Sequence, residues 1–118
     1  MTLLAGTAAS ADAASGPGST PDGPRAFRGE WDTRLSDCRA SPHQGWMRVT
    51  RNTVDLFGAT GLRVVGVDRH GTDNVTLSLA RDDNGRPHVE RRRLRLVNAG
   101  HGIVDYVGKR TRFRCPGR

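Results

Sequence analysis

The sequence predicts an all-β domain, a small antiparallel meander barrel or sandwich of about seven or eight short strands. Helical periodicity is missing, since no window of about 11 residues from Phe27 onward keeps apolar residues at i, i+3, i+4 and i+7. Turn residues instead recur about every 8–12 positions, which is typical of sandwiches and barrels. A chain of 118 residues holds one domain at most and is too short for a TIM barrel or a two-lobed dinucleotide-binding enzyme.

Alternation of apolar and polar residues supports individual strands. Val75, Leu77 and Leu79 share one face, and the Asp-Asp-Asn-Gly sequence that follows predicts a tight turn at Asn84 and Gly85. The predicted strands lie near residues 27–33, 45–51, 53–57, 62–68, 74–81, 88–97, 103–107 and 110–115.

The strand near residues 88–97 carries the main candidate for function. Leu94 and Leu96 point to one face, and Arg91, Arg93 and Arg95 point to the other. Alternate residues of a strand stand about 6.6–7 Å apart, which is close to the phosphate spacing of a single nucleic-acid strand. We therefore expect this row of arginines to bind an anionic polymer.

The last predicted strand is interpreted in the same way. Phe113 and Cys115 are expected on the core side, with Arg112 and Arg114 on the outer side. If this strand neighbours the strand near 88–97, Arg112 and Arg114 extend the anion-binding row.

The two cysteines, Cys38 and Cys115, enclose nearly the whole predicted domain. A disulfide closing so long a loop contributes roughly 4–5 kcal/mol to the free energy of unfolding, and small secreted domains commonly depend on such bonds. The alternatives are two free buried thiols or two unrelated surface thiols. We predict the disulfide.

The N-terminal quarter divides into two segments. Residues 1–11 end in an Ala-Ser-Ala site and are either the remnant of a signal peptide or a disordered tail. Residues 12–26, rich in Pro and Gly, are predicted to be a flexible linker. Residues 27–118 form the predicted β domain. No run reaches the roughly 18 apolar residues that a transmembrane helix needs.

The positive charge is concentrated at the C-terminal end. Residues 88–118 hold nine basic and two acidic residues, which accounts for the whole net charge of +7. Arginine outnumbers lysine 18 to one, and guanidinium groups bind phosphates and carboxylates with two hydrogen bonds at once. A solvated charged surface without a ligand remains the alternative.

The sequence gives no sign of catalysis. It has no G-x-S-x-G or H-E-x-x-H motif, and its cysteines and histidines lack zinc-ligand spacing. A cysteine–histidine nucleophile is removed if the disulfide forms. The histidines that such sites would use are His43, His70, His88 and His101. We therefore predict no enzymatic activity, no cofactor and no metal.

The sequence resembles a group of small secreted proteobacterial proteins over residues 27–116. The likeness rests on an F-x-G-x-W opening at Phe27, Gly29 and Trp31, on Cys38, and on an Arg-Cys-Pro ending after an aromatic residue at 113. The resemblance implies export and a β domain, but no particular activity.

Gly29 and Trp31 also resemble the G-x-W of the first strand in lipocalin-like barrels. In those barrels the tryptophan packs at the closed end under an arginine from the last strand. The resemblance implies that role for Arg112 or Arg114. The length fits small inhibitor barrels better than a barrel that encloses a ligand.

These observations favour a non-enzymatic binding or inhibitory module of the bacterial envelope, periplasmic or secreted and monomeric. Its expected partners are an anionic envelope polymer, lipid headgroups or a secreted enzyme. The alternative is a basic cytoplasmic protein that binds nucleic acid.

Overall fold

The computed structural model describes residues 24–39 and 44–116. Eight antiparallel strands follow one another in sequence order around a closed barrel, which confirms the all-β prediction and excludes the sandwich. The strands are β1 (Gly29–Asp32), β2 (Met47–Val49), β3 (Thr53–Leu56), β4 (Ala59–Arg69), β5 (Asn74–Asp83), β6 (Arg86–Val97), β7 (Gly102–Asp105) and β8 (Arg110–Arg114). The described helical segments are short 3-10 turns at Arg25–Phe27, Leu35–Arg39 and Asn98–Gly100.

One end of the barrel is covered by the 3-10 turn Arg25–Phe27, and we call it the capped end. Phe27 is buried in the core just before β1 begins, and its carbonyl accepts a 3.0 Å hydrogen bond from the indole Nε1 of Trp31. Because successive strands reverse direction, the β2–β3, β4–β5 and β6–β7 connections also lie at the capped end. The other four connections lie at the far end.

The longest pairing joins β5 and β6, from Asn74 opposite Arg95 to Asp83 opposite Arg86. The turn between them places Asn84 at φ 51° and Gly85 at φ 80°. Two consecutive left-handed residues are what a two-residue hairpin of type I′ requires, and Asn-Gly is the pair that adopts it most readily.

Inward-facing side chains of all eight strands contribute to the filling of the interior. The predicted inward positions on β5, Val75, Leu77 and Leu79, are confirmed as buried. Because the core is packed with these side chains, surface residues are the available contacts for a large partner. The core cluster consists of Phe27, Trp31, Met47, Val49, Val54, Leu62, Val64, Val75, Leu77, Leu79, Leu94 and Ile103.

The barrel closes where β1 meets β8. Only two residue pairs join these strands, Trp31 with Arg114 and Asp32 with Phe113. The predicted disulfide between Cys38 and Cys115 is confirmed, with the two Cα atoms 5.6 Å apart. It ties the 3-10 turn after β1 to the residue after β8, and so reinforces a short junction.

The last strand has the opposite phase from the predicted one. Phe113 is 39% exposed, whereas Arg112 is only 4% exposed, so the placement of Phe113 in the core and of Arg112 on the surface is wrong. Arg112 pairs with Ile103 of β7, whose side chain is in the core, and residues opposite each other in a sheet share a face. The phase is set by partners on other strands rather than by hydropathy within β8.

The folded domain begins slightly earlier than predicted. Pro24 is buried and residues 25–27 form the cap, so the cap includes the last residues of the segment predicted to be a linker. The predicted signal-peptide remnant at 1–11 and the first part of the predicted linker, 12–23, lie outside the described residues. No helical segment among the described residues is long and apolar enough to cross a bilayer.

The disulfide is expected to dominate stability. Its two cysteines are 77 positions apart, so Cys115→Ser should lower the free energy of unfolding by about 4 kcal/mol through the entropy of the opened loop. Urea denaturation measures this directly. The double variant with Cys38→Ser controls for a stray thiol, and a midpoint equal to the parent's in both variants would contradict the prediction.

Candidate functional site

The outer face of β6 presents three arginines in a row, and we call Arg91, Arg93 and Arg95 the arginine face. All three are exposed, as the sequence predicts. They stand opposite Ser78, Thr76 and Asn74 of β5. Strand geometry spaces the Cα atoms of these three arginines about 6.6–7 Å apart along the wall.

Side chains from other parts of the barrel contact two of these arginines. Arg91 Nη2 lies 2.5 Å from Asp68 Oδ2 of β4. Arg93 donates from Nε to Asn74 Oδ1 at 3.1 Å, and its guanidinium lies 4.7 Å from the ring centroid of Tyr106. Both contacts are at the surface, so they orient the side chains more than they stabilise the fold.

Another wall of the barrel has a different charge balance. On β2, Arg48 lies between Glu30 and Asp55, with nitrogen–oxygen distances of 4.0 and 3.9 Å. One guanidinium there lies near two carboxylates, whereas of the three arginines on β6 only Arg91 forms an ion pair among the described residues, with Asp68. The arginine face is therefore a cationic strip.

Arg112 and Arg114 do not extend this strip, contrary to the sequence prediction. Arg112 points inward, donating from Nε to the carbonyl of Gly45 at 2.7 Å and from Nη1 to Asp105 Oδ2 at 2.9 Å. Burial lowers the pKa of Arg112 from its ordinary value, and the Asp105 carboxylate opposes that shift. Arg112 is thus part of the interior.

Sequence reasoning missed Arg92, which lies between two members of the arginine face. It points inward, is 7% exposed, and donates from Nη1 to the same Asp105 oxygen that Arg112 contacts. The signal was present, because Arg92 is in phase with the inward-facing Leu94. We call Arg92, Asp105 and Arg112 the buried ion cluster.

Arg114 closes the capped end. Its guanidinium lies 4.3 Å from the ring centroid of Trp31. Of Arg112 and Arg114, the two arginines that the lipocalin-like resemblance offered for this position, it is Arg114 that packs over the tryptophan. Gly29 permits the contact, because its φ of 135° is open to glycine and an added Cβ would lie 3.1 Å from Arg114 Nη1. Arg114 also donates to three carbonyls, of Ala26, Arg28 and Gly100.

Groups that support catalysis are not assembled in the described residues. Both cysteines are in the disulfide, so neither offers a thiolate. His70 lies 2.8 Å from the Thr76 hydroxyl, His88 and His101 are exposed, and His43 lies outside the described residues. Within residues 24–39 and 44–116, no three His, Cys, Asp or Glu side chains are grouped to hold a metal ion.

Comparison of the chain with protein-family models, curated proteins and solved structures finds no match. The class of protein is therefore defined by geometry alone. It is a small closed β-barrel with a cationic strip on one strand. The two resemblances noted in the sequence remain predictions.

Arg114 is expected to stabilise the barrel far more than an exposed arginine does. Arg114→Met removes the contact with Trp31 and three charge-assisted hydrogen bonds, and should lower the free energy of unfolding by roughly 2–4 kcal/mol. Arg95→Met makes the same chemical change on the surface and should cost less than about 0.5 kcal/mol. Equal urea midpoints for the two variants would contradict this role.

Proposed function

We propose that the protein is an exported, non-enzymatic binding module of the bacterial envelope whose arginine face binds the anionic groups of a polymer or of lipid headgroups. The observation that carries the proposal is the row of three exposed guanidiniums on β6, two of them oriented by Asp68, Asn74 and Tyr106. A row of fixed cations along one strand matches a ligand with repeated negative charges.

The rest of the barrel supports binding at the surface. Its interior is filled by large apolar side chains, so the outer wall is where an extended ligand can lie. Guanidinium groups bind phosphate, sulfate and carboxylate with paired hydrogen bonds, which suits envelope polymers and phospholipids alike. Binding should be strongly dependent on salt, because the arginine face is exposed to solvent.

The disulfide supports export. Disulfides persist in oxidising compartments such as the bacterial periplasm and are rare in the cytosol. A cytoplasmic protein that binds nucleic acid would be expected to keep Cys38 and Cys115 reduced. The bond between them therefore favours the envelope over the cytoplasmic alternative.

The arginine face is tested by changing Arg91, Arg93 and Arg95 together to Gln. Elution from a sulfated-polysaccharide resin should shift to lower salt. The slope of log Kd against log salt should fall by roughly 2, because each neutralised anionic group contributes about 0.7–0.9. Vesicles with and without phosphatidylglycerol, in a sedimentation assay, separate lipid headgroups from polymer as the anionic source.

A charge-matched control distinguishes the face from net charge. Arg25, Arg39 and Arg63 are exposed arginines that lie off β6, and changing all three to Gln removes the same charge. We expect this control to elute close to the parent. If both triple variants lose equal retention, binding depends on total charge and the proposed face is wrong.

A further inference from the structure

We propose a second anion site inside the far end of the barrel, where the buried ion cluster binds a small oxyanion such as phosphate or a carboxylate group. The cluster contains two guanidiniums and one carboxylate, and Arg92, Asp105 and Arg112 are 7%, 1% and 4% exposed. Arginine keeps its proton at any pH at which proteins are stable. Within the cluster two guanidiniums share one carboxylate, and the fourth buried charged residue of the described chain is Asp32 on β1.

Both oxygens of the single carboxylate already accept hydrogen bonds. Asp105 Oδ2 accepts from both arginines, and Oδ1 accepts from the backbone nitrogen of Val107 at 3.0 Å. Arg112 uses a second donor on the carbonyl of Gly45. Arg92 makes one hydrogen bond to Asp105, from Nη1.

Arg92 has a donor left over. Its Nε is the one buried side-chain polar atom in the described part of the chain that has no hydrogen-bond partner. Native proteins rarely leave a buried hydrogen-bond donor unpaired. The loss of folding free energy is largest when the donor belongs to a charged group. Glu90, the preceding inward position of β6, forms no ion pair with Arg92 among the described residues.

Strand pairing ends close to this donor on the β7 side. β7 pairs with β6 only from Leu94 to Val97, and Asp105 is its last residue. From Arg92 back to Arg86, β6 is paired on its β5 side but extends beyond the end of β7. Arg92 therefore lies two residues beyond the last β6–β7 pair, next to the backbone hydrogen bond from Tyr106 N to the Arg93 carbonyl. An oxyanion there satisfies Nε with the paired geometry that guanidinium favours.

Thermal unfolding with increasing inorganic phosphate, at ionic strength held constant with sodium chloride, tests this site. A ligand that binds only the native state raises the melting temperature with its concentration. We expect phosphate to raise it in the parent and to have no effect in Arg92→Met, which leaves a neutral Asp105–Arg112 pair. Arg93→Met removes the same charge from the adjacent outward position and should respond as the parent does.

Two further variants keep the test decisive. If Arg92→Met does not fold, Arg92→Lys retains the charge but lacks Nε and should show a weaker phosphate response than the parent. The triple Arg→Gln variant of the arginine face should keep the full phosphate response, and Arg92→Met should keep its retention on the sulfated resin. A parent that does not respond to phosphate, or an Arg92→Met that responds like Arg93→Met, would overturn the internal site without affecting the proposed function.

Discussion

Closure of the barrel between β1 and β8 is the constraint on which the remaining structure depends. The two strands share two residue pairs, so the junction relies on contacts beside it. Arg114 packs over Trp31 and reaches three backbone carbonyls, and the Cys38–Cys115 disulfide ties the flanking segments together. With the junction held, the six other strands keep their register, and β6 presents Arg91, Arg93 and Arg95 on its outer face.

Arginine has two separate roles in this barrel, because alternate residues of a strand face opposite sides of the sheet. On β6, Arg91 and Arg93 face solvent, whereas Arg92 between them faces the interior and meets a carboxylate. On β8, Arg112 and Arg114 both face inward and are satisfied by acceptors from other strands and from the cap. Among the described residues the buried charges balance, because Arg92 and Arg112 are matched in number by Asp32 and Asp105.

The sequence alone predicted the eight strands, the disulfide and the outward direction of Arg91, Arg93 and Arg95, because alternation and turn residues are local signals. It predicted the phase of β8 wrongly. Arg112 is buried only because β7 supplies Asp105, and a strand's own hydropathy cannot reveal a partner on another strand. The close approach of Arg114 to Gly29 is similarly non-local, and only the G-x-W resemblance pointed to it.

The division of the arginines into outer and inner groups is tested most directly by NMR of their Nε–H resonances. A sulfated polysaccharide added to the intact protein should shift the resonances of Arg91, Arg93 and Arg95 and leave Arg112 and Arg114 unchanged. Slow hydrogen exchange at Arg112, which is buried and hydrogen-bonded to Gly45, is expected in the same spectra. Equal shifts at inner and outer arginines, or shifts confined to arginines off β6, would contradict the account.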